Sequence, residues 1–166
     1  KMKIAVAGTG YVGLVTGVCL SEHGHTVTCV DVDENKVKMM EGGKSPIYEP
    51  GLEEMMVRNM DHLHFTTDYK KAYVDADVII IAVGTPEKKD GSANLAFVFS
   101  VAVQIAESIS KECVVIVKST VPIGTNDDVE KILNENPACL KVHVASNPEF
   151  LAQGTAVPDT MHASRI

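Results

Sequence analysis

Apolar residues in this chain fall into short continuous runs, separated by longer stretches in which they recur every three or four positions. The short runs, rich in Val, Ile and Ala, are Lys3–Ala7, Thr26–Asp31, Leu63–Thr66, Val78–Val83, Cys113–Lys118 and Lys141–Ser146, and they predict strands. Between them Tyr11–His23, Glu34–Glu41, Leu52–Met60, Asp68–Val74, Leu95–Ser110 and Asp127–Asn136 predict helices, with a weaker one at Phe150–Ala156. Gly24 follows the first helix where a left-handed cap belongs, and Asp33 and Asn94 stand where N-caps belong. Pro50-Gly51 and Pro122-Ile123-Gly124 break the chain ahead of helices. Strand–helix alternation over six strands predicts an α/β fold of parallel, right-handed βαβ units. No repeat, low-complexity tract or linker divides the 166 residues, so one domain is expected. Ser164-Arg165-Ile166 reads as the opening of a further strand, so the chain is expected to be a fragment of a longer protein.

Composition narrows the function classes. Apolar residues make up 45% of the chain and aromatics only 5%, an aliphatic balance that suits a sheet buried on both faces. The formal charge of −7 argues against a nucleic-acid or anionic-membrane partner. Phosphorylated ligands remain open, because backbone N–H groups can hold them without net charge. The longest apolar runs are too short to span a bilayer and no basic leader precedes the first strand, so a cytoplasmic location is expected. Cys19, Cys29, Cys113 and Cys139 are widely spaced in apolar surroundings and read as reduced core thiols. His62 and His64 alternate at the third strand with no third ligand near them, so no metal site is expected.

The first strand runs into Gly8-Thr9-Gly10-Tyr11-Val12-Gly13 and then into a helix, which is G-x-G-x-x-G in the context it requires. Gly8 permits a tight turn, Gly10 lets a diphosphate approach the backbone, and Gly13 lets the helix lie close to the strand. The helix N-terminus adds unsatisfied N–H groups and a partial positive charge. Asp31 ends the second strand, 18 positions after Gly13, where a carboxylate accepts hydrogen bonds from an adenosine ribose. A carboxylate there repels a 2′-phosphate, so NAD is favoured over NADP; Lys36 nearby could tolerate a phosphate. The expected fold class is therefore α/β, a Rossmann-type doubly wound parallel sheet, six strands in order 3-2-1-4-5-6 with helices on both faces.

Three more segments are distinctive: Ile47-Tyr48-Glu49-Pro50-Gly51-Leu52, Lys118-Ser119-Thr120-Val121-Pro122-Ile123-Gly124 and Ser146-Asn147-Pro148-Glu149-Phe150-Leu151. With Gly10-Tyr11-Val12-Gly13 and Val83-Gly84-Thr85-Pro86, the chain resembles the N-terminal NAD-binding domain of the UDP-glucose/GDP-mannose dehydrogenase family over essentially its whole length. The resemblance implies a nucleotide-sugar substrate, a homo-oligomeric full-length protein, and a four-electron oxidation of the sugar C6 alcohol to an acid with two NAD. In that chemistry a cysteine holds the aldehyde-level carbon, a thioester forms on it, and water cleaves the thioester. Residue by residue, Glu149 matches the general acid/base, and Thr120 a group that positions water and touches the cofactor. Gly8, Gly10, Tyr11, Val12, Gly13, Asp31, Lys36, Thr85, Ser119 and Thr120 match cofactor-binding positions, and Glu149, Phe150 and Leu151 match the sugar site.

The resemblance also has departures. Gln153 stands where many members carry a second acid, and an amide cannot act as a base; Ala152 stands where some relatives have a basic residue. The family's catalytic cysteine, its central helix and its substrate domain would lie beyond Ile166, and none of the four cysteines here matches the cysteine motif. Residues 1–166 are thus expected to bind NAD without turnover. UDP-glucose is the expected sugar, with GDP-mannose or a UDP-N-acetylhexosamine as alternatives. Two other readings stay open: a different two-domain dehydrogenase, against which Lys118–Gly124 speaks, and an NAD-binding module without catalysis.

Overall fold

The computed structural model describes residues 1–135 and the backbone of 142–146. The expected helix at Phe150–Ala156, and with it Cys139, Glu149, Phe150, Leu151, Ala152 and Gln153, lies outside the described residues. Six strands form one sheet: β1 (Lys3–Ala7), β2 (Thr26–Val30), β3 (Leu63–Thr66), β4 (Val78–Ile81), β5 (Cys113–Val117) and β6 (Val142–Ser146). Their order is β3-β2-β1-β4-β5-β6 and every pairing is parallel, as the strand–helix alternation predicts. The helices are α1 (Tyr11–Glu22), α2 (Glu34–Glu41), α3 (Leu52–Arg58), α4 (Tyr69–Tyr73), α5 (Ala96–Ser108) and α6 (Thr125–Asn134).

Successive strand residues point to opposite faces, and both faces are buried. Ile4, Val6, Val27, Cys29, Ile80 and Ile116 pack with α1, α2 and α3 on one side. Ala5, Ala7, Ile79, Ile81, Val115 and Val117 pack with α4, α5 and α6 on the other. Each fully buried aliphatic side chain contributes about 1.5–3 kcal/mol, and two such layers hold the sheet between its helices. Met40, Met55 and Met56 join the first layer as helix-packing residues, whereas Met39 is largely exposed. Among the described residues, no helix is long and apolar enough to cross a membrane.

Local signals set most element ends. Gly24 (φ +94°) closes α1: its N–H reaches the Ser21 carbonyl, and the His25 N–H reaches that of Leu20. Asp33 caps α2 by accepting from the Asn35 and Lys36 N–H groups. Asn94 differs from expectation: α5 starts at Ala96, and the Asn94 side chain accepts from the Ala96 N–H at 3.0 Å, one residue ahead of a true cap. The helix expected at Asp127–Asn136 begins two residues sooner, because left-handed Gly124 already turns the chain into it.

β1 lies between β2 and β4, so the chain leaves β1 where successive connections depart in opposite directions along the sheet. At that reversal the loops following neighbouring strands separate, and a crevice opens at the carboxyl edge.

Candidate functional site

The chain leaves β1 through Gly8, whose N–H continues the ladder to the Val30 carbonyl and whose φ of +103° belongs to glycine. A Cβ on Gly13 would come within 2.1 Å of the Gly8 carbonyl oxygen, so α1 lies directly against the end of β1. Gly10, by contrast, faces open space, with nothing within 4 Å of a Cβ placed there. The three glycines thus divide the work as their spacing predicts, into a turn, an open approach and a close contact. Gly10 is the N-cap of α1, no side chain caps the helix, and its first turn holds no acid. The first N–H groups and the positive end of the helix dipole are therefore available to an anion.

Asp31 follows β2 directly, its N–H bonded to the Thr66 carbonyl at 3.1 Å. Its side chain is 14% exposed and turned toward the elbow. Oδ2 accepts from the Thr9 hydroxyl and, at 3.3 Å, from the Thr9 N–H; Oδ1 accepts from the Asp33 N–H at 2.9 Å. The Lys36 ammonium stands 3.5 Å from Oδ2. Burial disfavours the ionised carboxylate, but the Thr9 hydroxyl, the Asp33 N–H, Lys36 and the Thr9 N–H together hold its pKa below the ordinary value.

Gly8, Gly10, Asp31 and Lys36 line a cleft of about 370 Å³. Its remaining wall carries residues not anticipated from the sequence: Val32, 93% exposed, and Phe97, Ser100 and Gln104 along one face of α5. Their spacing in α5 is helical, but only the packed rotation of the helix decides that this stripe meets the cleft. An open glycine approach, an uncapped helix end and a rim carboxylate suit a dinucleotide's diphosphate and adenosine ribose.

Further along the same edge, the loops after β4 and β5 are tied together. The Ser119 hydroxyl donates to the Val83 carbonyl at 2.7 Å, and the Thr85 hydroxyl donates to the Thr120 carbonyl at 3.2 Å. Ser119 is buried, while Thr120 is exposed. Thr85, Ser119 and Thr120 are thus brought together, and Val12 lies half-buried in the first turn of α1. Tyr11 donates its phenol proton to Glu49 at 2.6 Å, and Glu49 is only 6% exposed. That pairing was not legible beforehand, since an acid in a Pro-Gly turn reads as solvated. Cys19 and Cys29 are buried, and burial pushes both thiols up to about 12, so neither suits a nucleophile. The segment Glu87–Gly91 is exposed, and its Asp90 carboxylate accepts from the Ser92 N–H and hydroxyl.

Two outcomes are expected from this geometry. Gly13→Ala should lower stability by about 1–3 kcal/mol, because backbone must move to admit the methyl; thermal or denaturant melts would measure it. Asp31 has a folded pKa below its unfolded one, so the stability its contacts supply is complete above about pH 4 and lost as the pH falls below that. The stability difference between wild type and Asp31→Asn should accordingly shrink across that acid range in denaturant titrations.

The chain matches the model of the UDP-glucose/GDP-mannose dehydrogenase family, NAD binding domain, over residues 2–166. It is 53% identical over 168 aligned positions to the UDP-glucose 6-dehydrogenase YwqF of Bacillus subtilis, covering 99% of this chain and 38% of that protein. Among solved structures it resembles a GDP-mannose dehydrogenase from Pseudomonas aeruginosa, with a TM-score of 0.89 and 41% identity, over 95% of this chain and 38% of that one. A UDP-glucose dehydrogenase from Pyrobaculum islandicum gives a TM-score of 0.90 at 39% identity, again over 95% and 38%. The chain therefore spans well under half the length of these relatives. With an open glycine elbow and a rim carboxylate on a sheet of the expected order, and a family match across nearly every residue, this chain belongs to the UDP-glucose/GDP-mannose dehydrogenase family, as its NAD binding domain.

Proposed function

We propose that residues 1–166 form the cofactor-binding domain of a cytoplasmic, homo-oligomeric nucleotide-sugar dehydrogenase, whose central helix and substrate domain follow Ile166. The proposed reaction is oxidation of UDP-glucose at C6 to UDP-glucuronate. The observation that carries this reading is a single carboxyl edge bearing the elbow and Asp31 at one end and the Ser119–Val83 and Thr85–Thr120 clips at the other. An extended dinucleotide needs such a line of contacts. The proposal for the sugar rests on the names of relatives such as YwqF.

Bound NAD supplies the hydride acceptor. The residues' own parts are binding and proton chemistry. The N–H groups at Gly10–Gly13 and the α1 dipole hold the diphosphate, and Asp31 accepts from the ribose hydroxyls, with Lys36 beside it. Tyr11, Val12, Thr85, Ser119 and Thr120 complete the cofactor site. Glu149, Phe150 and Leu151 meet the sugar. Glu149 takes the proton of the water that attacks a thioester formed on a cysteine outside this chain, and Thr120 helps position that water. A carboxylate suits this step, because water becomes an effective nucleophile only as it loses a proton.

GDP-mannose, the sugar nucleotide named for the Pseudomonas aeruginosa structure, is the second candidate substrate. A UDP-N-acetylhexosamine also fits the family. An NAD-binding module without catalysis would instead end near Ile166.

The test is an assay of the full-length protein with a panel of nucleotide sugars, counting NADH formed per sugar. Two per UDP-glucose is the expected result; one would point to a simple alcohol dehydrogenase. In the same protein Glu149→Gln should slow thioester hydrolysis far more than it weakens NAD binding, and equal loss of both would overturn the role given to Glu149.

A further inference from the structure

Thr9 fills the first variable position of the elbow, where the glycine pattern itself demands no particular side chain. It is nevertheless fully buried, and a buried hydroxyl costs free energy unless it is hydrogen-bonded. Its partner is Asp31: hydroxyl and N–H of the same residue converge on Oδ2, while Oδ1 is held by the Asp33 N–H. The carboxylate is thereby gripped from both sides, by the turn that opens α1 and by the turn that leads into α2. A cation stands close as well: the Lys36 ammonium lies 3.5 Å from Oδ2.

We propose that Thr9 is a positioning residue that sets dinucleotide specificity: its hydroxyl fixes the Asp31 carboxylate so that its remaining lone pairs meet the adenosine ribose, and NAD is thereby preferred over NADP. The inference rests on the reading of this cleft as an NAD site with Asp31 at the ribose.

The physical argument is one of competition for a single charge. A carboxylate at a strand end can rotate about two side-chain bonds, and Lys36 attracts it. Held by Thr9, the negative charge stays at the cleft rim, where it accepts from a 2′-hydroxyl and repels a 2′-phosphate. Released from Thr9, it can turn to Lys36, and the ribose loses its acceptor while the phosphate loses its opponent. The acid's lowered pKa agrees with this: burial works against the ionised form, and the Thr9 hydroxyl is foremost among the contacts that overcome it.

The experiment titrates NAD and NADP separately into the full-length protein. Thr9→Val keeps the shape and removes the hydroxyl. It should raise the Kd for NAD about tenfold, the effect of one lost hydrogen bond to a charged group, and leave that for NADP unchanged or lower, because the repulsion of the 2′-phosphate is relieved. Thr9→Ser restores the hydroxyl and should keep both within about twofold of wild type. In an Asp31→Ala background Thr9→Val should leave the NAD-to-NADP ratio unchanged, because the group it acts through has gone. If the valine variant does not fold, Thr9→Ala carries the same expectation with a side chain too small to crowd the elbow. Equal weakening of both dinucleotides would mean that Thr9 merely shapes the elbow. That result, an unaltered NAD Kd, or a ratio shift that persists in Asp31→Ala would each overturn the proposal. A wild-type protein that bound neither dinucleotide would refute the cleft assignment itself, a result distinct from all of these.

Discussion

The contact between α1 and the end of β1 is the constraint on which the site depends. With no side chain at position 13, the helix can begin directly over the Gly8 carbonyl. That closeness aims the unsatisfied N–H groups of α1 at the carboxyl edge of the sheet rather than into solvent beside it. It also brings Thr9 within reach of the strand next door, where Asp31 waits. The helix that packs against the sheet is also the helix whose uncapped N-terminus faces the cleft.

The sheet contributes the second half of the geometry. Parallel pairing puts every strand's carboxyl end on one edge, so groups distant in sequence gather there without any contact of their own to bring them together. Thr66 fixes the Asp31 backbone from β3, and the carbonyl of Ile81 in β4 accepts from the N–H groups of Lys118 and Ser119 beyond β5. Buried aliphatic layers on both faces supply the rigidity, and the polar work is confined to the loops.

Most of the fold was legible in the chain, because strand alternation and helical period report burial directly, and burial is what builds this sheet. What escaped was set by tertiary partners. β4 was expected to reach Val83 but stops at Ile81, since beyond it the Val83 carbonyl turns to the Ser119 hydroxyl instead of a ladder partner. Nothing in an unbroken apolar run announces that exchange. The elbow and Asp31 were readable because one is a spacing rule and the other follows from neighbouring strand ends. Phe97, Gln104 and the Tyr11–Glu49 pair were not, since each depends on how a whole helix or loop is rotated against its neighbour. Glu149, Phe150 and Leu151 rest on motif resemblance, with their surroundings outside the described residues.

The clasp between the β4 and β5 loops has a thermodynamic corollary. Two side-chain hydroxyls, Ser119 and Thr85, close it onto main-chain oxygens. A surface held by its own hydrogen bonds forfeits little conformational entropy when a guest arrives, so more of the contact energy appears as affinity. A guest docking at that end of the edge would meet a cut lock rather than a closing hand.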